Sequence, residues 1–173
     1  MTPYEEFTEL SHQIGLVNLH LPDGLERPIH RVNDAALIIF HVFALEDFCL
    51  NYVSRTTVKK ARHHGIRSRI LGGLAEAVNR PDQLDAIRPL LKAVDEVIMI
   101  RDLYAHRLGR RRDLDVAACL TPTILRDHGF EADDADDDLS ARWWPKRCVA
   151  FAACVGPLKQ LAKWVDEHMA RKP

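Results

Sequence analysis

From Ala35 to Leu45 every residue except His41 is apolar. A helix greasy nearly all round stays folded only where its sides are covered by other elements. Asn33 stands just ahead of the run and suits a helix N-cap, because its side-chain oxygen can take up a free N–H of the first turn. The spacing therefore predicts a helix from Asn33 to about Tyr52, central and buried, with the rest of the chain packed around it.

The flanking segments supply that packing. Thr2-Pro3-Tyr4-Glu5 forms a capping box with proline at the first helical position, and Phe7, Leu10 and Ile14 follow at helical spacing. This first helix is expected to stop before Pro22-Asp23-Gly24, with loop as far as Pro28. After Gly65, residues Ile66, Ile70, Leu74 and Val78 suggest a modest helix that Gly72-Gly73 weakens. Pro81 opens the next helix, Pro89 kinks or restarts it, and Gly109 stops it. The stretch from Asp113 to Phe130, broken by Pro122, fits short helices and irregular structure equally well. A last helix is expected from about Pro145 to His168, with Trp144, Cys148, Phe151, Val155, Leu158, Ala162 and Val165 on one stripe and a bend at Gly156-Pro157.

No segment alternates with the period of an exposed strand, and no glycine-rich loop follows one. The expected fold class is all-α, a bundle of four to six helices. Residues 1–173 suffice for a single domain: an N-terminal helix and loop over 1–32, then a core bundle over 33–173 with an acidic loop near 131–140. No internal repeat is present, and apart from the aspartate run there is no low-complexity tract.

The formal net charge of −1 comes from separated blocks of opposite sign. Arg55, Lys59, Lys60, Arg62, Arg67 and Arg69 lie in a stretch without acids, and Arg101, Arg107, Arg110, Arg111 and Arg112 form a second basic group. Asp133, Asp134, Asp136, Asp137 and Asp138 oppose them. Cys49, Cys119, Cys148 and Cys154 show no Cys-x-x-Cys spacing and are expected to be small core residues. The first residues carry acids and no apolar signal core, and no run of about 18 apolar residues occurs, so a cytoplasmic protein with reduced thiols and no membrane partner is expected. The nine histidines include no His-Glu-x-x-His or similar pair, and one loop of aspartates is a poor source of six hard ligands in fixed geometry. Neither metal nor cofactor is expected.

Counting back from Gly109, Leu108, Ala105, Arg101, Ile98, Val94, Leu91 and Ile87 recur in steps of three and four. Arg101 therefore occupies a core position. A guanidinium stays charged in proteins, so burying it is costly unless an acid or a charged ligand meets it. Glu46 and Asp47, the acids that follow the apolar run of that helix, are the natural internal partners. Asp102 precedes His106 by four residues and can orient its imidazole. Arg101 and His106 themselves lie about 140° apart on a regular helix turning about 100° per residue. Their convergence needs a long reach, a local distortion or a second copy of the helix.

The stretch Arg101-Asp102-Leu103-Tyr104-Ala105-His106 resembles the motif of the HEPN family, helical domains many of which are RNA-cutting toxins or defence nucleases. That motif is an arginine, a polar residue, and a histidine after four to six intervening positions. The apolar helix ending Ala44-Leu45-Glu46-Asp47-Phe48 is similar to the family's first core helix. The resemblance runs from about Asn33 to the C-terminus. It implies a homodimeric, metal-independent endoribonuclease, a toxin or antiviral-defence component, whose two protomers line one cleft with paired arginines and histidines. The RNA 2′-OH would attack, leaving a 2′,3′-cyclic phosphate and a 5′-OH. His106 would move the proton, Arg101 would neutralise the phosphorane, and Asp102 would hold His106. Arg107, Arg110, Arg111 and Arg112, with Lys59, Lys60 and Arg62, would follow the RNA backbone. An antitoxin or regulatory protein is a further implied partner. Toxins paired with a nucleotidyltransferase antitoxin often carry a tyrosine two places after the histidine. Leu108 stands there in this chain, which leaves Tyr104, inside the motif, as the nearest phenol.

The competing readings are plainer. Arg101 pairs with Glu46 or Asp47 for structure alone, His106 is a surface histidine favoured by the helix dipole, and the basic stretch from Arg55 to Arg69 is a solvated face. The domain would then be a non-catalytic binder of RNA, nucleotide or protein.

Overall fold

The computed structural model describes residues 1–19, 27–52, 68–74, 78, 81–107, 109, 119–133 and 141–169. Helix α1 spans Pro3–Leu19. Its first turn is closed reciprocally: Thr2 N donates to Glu5 Oε2 at 2.6 Å and Glu5 N to Thr2 Oγ1 at 3.2 Å. A cap of this kind is worth about 1 kcal/mol. Phe7 and Ser11 face inward, while Leu10, expected on the same stripe, is 43% exposed.

Helix α2 spans Arg27–Cys49, beginning six residues before the predicted Asn33 cap. Pro28 lies in its first turn, where the N–H that proline lacks has no intrahelical acceptor in any case, so the helix runs through it. The loop predicted up to Pro28 is to that extent shorter; Pro22-Asp23-Gly24 lie outside the described residues. Helix α2 is central, packing against α1 and against two later helices. Those neighbours do not enclose it. Phe40 and Phe43, predicted to be buried, are 56% and 46% exposed, and Val32 ahead of them is 59% exposed, so a strip of the helix faces outward.

A single π-helical turn follows at Ser68–Gly72, carrying buried Ile70; Leu74 is buried just beyond it. The basic stretch from Arg55 to Arg67 lies outside the described residues. Helices α3 (Pro81–Ala86) and α4 (Arg88–Arg107) are separated at Ile87, so Pro89 restarts the helix rather than kinking it. Helix α5 (Pro122–Asp127) resolves part of the stretch left open: Thr121 Oγ1 accepts from Ile124 N at 3.3 Å, and Pro122 opens the helix.

Sequence patterning misses the small sheet. Strands β1 (Phe130–Ala132) and β2 (Trp143–Pro145) pair antiparallel, with Phe130 opposite Pro145, Glu131 opposite Trp144 and Ala132 opposite Trp143. Three residues are too few for an alternating pattern to register. The acidic positions 134–138 lie between these strands, outside the described residues. Helix α6 (Arg147–His168) ends the fold, with Pro157 inside it.

The core lies where α2, α4 and α6 meet. Ile38, Val42 and Leu45 pack with Val94, Val97 and Ile98 and with Leu158, Leu161 and Val165, all buried. Among the described residues the fold is therefore all-α with one appended hairpin. Cys49 and Cys154 are buried as expected, and burial pushes the Cys154 thiol up to about 12. Cys119 is exposed, against expectation, because it precedes α5 at the surface rather than inside a packed stripe. Among the described residues no helix is long and apolar enough to cross a membrane.

Candidate functional site

The last two turns of α4 carry the candidate motif. Ile100, Leu103 and Tyr104 face the core, Arg101 is buried beside them at 6% exposure, and Ala105 and His106 are exposed. The buried arc is thus centred between Ile100 and Tyr104. That brings Arg101 inside it, as its spacing predicted, and leaves Ala105 outside.

Arg101 is poorly satisfied. Its Nη1 donates to Asp102 Oδ1 at 2.5 Å, while Nε and Nη2 are buried without an acceptor among the described residues. The guanidinium carbon lies 4.9 Å from the centroid of Phe43, on the outward strip of α2. A buried donor left unmade costs about 1–3 kcal/mol. A cation–π contact at a half-exposed ring returns about 0.5–1 kcal/mol. Those magnitudes leave the guanidinium short of acceptors.

The predicted partners fall differently. Among the described residues Arg101 pairs with Asp102, and not with Glu46 or Asp47. Glu46 is half-buried on α2, where its charge adds to the burial that holds the Cys49 thiol protonated, and Asp47 is exposed. The i,i+4 spacing predicts an Asp102 to His106 contact, but the carboxylate accepts from the adjacent arginine. The long guanidinium chain can bend back over one peptide unit, which a helical spacing rule does not anticipate. His106 is exposed at the end of the helix.

Tyr104 is buried, and its hydroxyl donates to the Trp143 carbonyl. Burial holds the phenol well above its usual range. As the nearest phenol to the motif it is thus committed to the joint between α4 and β2. Gly109 follows with φ +84°, and its carbonyl accepts from Trp143 N at 2.9 Å, a second tie at the same joint. Arg107 is the last residue of α4. Lys59, Lys60, Arg62, Arg110, Arg111 and Arg112 lie outside the described residues.

Three further clusters escape the sequence reading. His41, wholly buried, donates from Nδ1 to the Leu37 carbonyl at 2.7 Å, which leaves Nε2 to accept from the Ser11 hydroxyl at 3.0 Å. His128 Nε2 lies 3.0 Å from Glu96 Oε2, tying α5 to α4. Trp144 has two guanidinium groups near its ring, Arg31 at 5.6 Å and Arg142 at 5.4 Å. The tandem Arg142-Trp143-Trp144 is the sequence signal for the last of these. Among the described residues no three His, Cys, Asp or Glu side chains converge as metal ligands.

The chain matches no family model, no curated protein and no solved structure.

Proposed function

We infer that the chain is a metal-independent endoribonuclease of the HEPN type, acting as a homodimer within a toxin or defence system. The observation that carries this reading is Arg101, a permanent cation held at 6% exposure with two of its nitrogens lacking an acceptor among the described residues. A scissile phosphate is an acceptor of the right charge and geometry for such a group, and its demand for hydrogen bonds rises as the phosphorane forms. RNA supplies its own nucleophile, so the remaining requirement is proton transfer, for which exposed His106 is the candidate. One helix sets the two side chains about 140° apart. A second copy is what brings an arginine of one protomer to a histidine of the other, and the outward Phe43 beside Arg101, with Phe40 also exposed on α2, gives that copy an apolar strip to cover.

A second reading, a non-catalytic RNA-binding domain, is favoured by one observation: Asp102 engages Arg101 and so does not hold His106. Incubation of labelled RNA with the full chain in EDTA separates the two. The nuclease cuts, leaves cyclic-phosphate ends and loses activity in both Arg101→Ala and His106→Ala. A mixture of the two inactive variants regains part of the activity if the site is shared between copies. Intact RNA, bound equally well by His106→Ala, selects the binding module.

A further inference from the structure

Between the N-terminal half of α2 and strand β2 lies a half-open cavity of about 210 Å³. Helix α2 lines it with Val32, Ala35, Ala36 and Ile39, a face whose two alanines leave the space that larger side chains would fill. Tyr104 closes the floor. Its hydroxyl is already spent on the Trp143 carbonyl, so it offers only its ring. Trp144 forms the opposite wall, and Arg142 stands at the same wall, the one charged residue among the described residues that line the cavity.

The two guanidinium groups on the Trp144 indole differ. Arg31 is neutralised by Glu131, with Nη2 to Oε1 at 3.3 Å. Among the described residues no carboxylate pairs with the Arg142 guanidinium: Asp133 accepts from its main-chain N–H at 2.7 Å, and the side-chain Nε is shut from water without an acceptor. A partly desolvated arginine with no carboxylate partner among the described residues, at the edge of an apolar slot, is the complement of a molecule that is apolar at one end and anionic at the other.

Size narrows the class. A dry cavity of about 150 Å³ holds one benzene ring, so this one has room for a ring and a few more heavy atoms. The flat indole and phenol walls suit an aromatic ring, which stacks on them at offset or edge-on geometry. A nucleobase fits poorly, because its polar edges would face aliphatic walls and each unmade hydrogen bond weakens binding.

We propose that this cavity is a binding site for a small aromatic carboxylate, with the ring between Ala36, Ile39 and Trp144 and the carboxylate on Arg142. The assignment does not depend on the chain cutting RNA.

Phenylacetate titrated into the full chain, followed by tryptophan fluorescence and by calorimetry, tests it. Toluene, acetate and adenosine serve as the ring-only, anion-only and nucleobase comparisons. The expected result is saturable one-to-one binding of phenylacetate at or below about 1 mM, with acetate silent. Arg142→Gln weakens phenylacetate about tenfold or more and leaves toluene unchanged. Ala36→Phe, which fills the slot from a partly exposed position, abolishes both, while circular dichroism shows each variant folded. The proposal is overturned if phenylacetate gives no saturation up to about 10 mM. It is equally overturned by an affinity that neither substitution moves, or by adenosine binding more tightly than phenylacetate.

Discussion

Tyr104 donates its hydroxyl to the main-chain carbonyl of Trp143, joining the last turn of α4 to strand β2 of the hairpin. Both groups are buried, so neither can exchange the bond for water. Tyr104→Phe keeps the ring packed against Phe130 and strands the carbonyl. The expected loss is about 1–3 kcal/mol, read as a lower urea midpoint with an unchanged slope.

Gly109 sits at φ +84°, and a Cβ there would come within 2.7 Å of the Trp143 carbonyl oxygen. Gly109→Ala combines the left-handed penalty of about 1–2 kcal/mol with a clash against main chain that cannot swing away. The variant should unfold at least 2 kcal/mol more easily than the parent, by the sum of those two effects. An unchanged denaturation midpoint would show that the turn is not held as described.

His41 is held neutral by burial, with Lys159 also disfavouring its charge, against the opposing hydrogen bonds to Leu37 and Ser11. Its folded pKa lies below the ordinary 6.5, so the unfolded chain binds the extra proton as pH falls. The stability due to the neutral ring is therefore complete above about pH 6.5 and is lost as pH drops through and below that value. Denaturant midpoints measured at pH 8, 7, 6 and 5 should fall along that series. In His41→Gln, which cannot titrate, the fall between pH 7 and 5 should be smaller.

Arg101→Met tests whether the buried cation serves stability or function. If the side chain is kept for a ligand, the apolar replacement leaves stability unchanged or raises it by about 1–2 kcal/mol, while cleavage or binding of RNA is lost. A loss of about 3 kcal/mol or more would mark the pair with Asp102 as structural.

Local signals carried far in this chain. The capping box at Thr2, the restart at Pro89 and the stop at Gly109 each depend on a few neighbouring residues, so the sequence displays them directly. Burial of Arg101 was readable because its place on an apolar stripe is also local. The exposed strip of α2 was not, since Phe40 and Ile38 look alike until the neighbours that cover one of them are known. Sequence likewise hid the hairpin, whose strands are shorter than any pattern, and with it the cavity, which Trp144 of β2 lines together with Ala36 of α2. The Arg101 to Asp102 pair escaped for another reason: spacing rules describe where side chains leave the helix, not where a long one ends.

The outward strip of Val32, Phe40 and Phe43 also bears on how the protein behaves in bulk. With a net charge of only −1, copies approaching one another meet almost no long-range repulsion. Added sodium chloride has little repulsion left to screen, whereas sulfate strengthens the attraction between greasy surfaces. Clouding of concentrated solutions should accordingly follow the identity of the salt more than its ionic strength, and a single lysine in place of Phe40 should clear them.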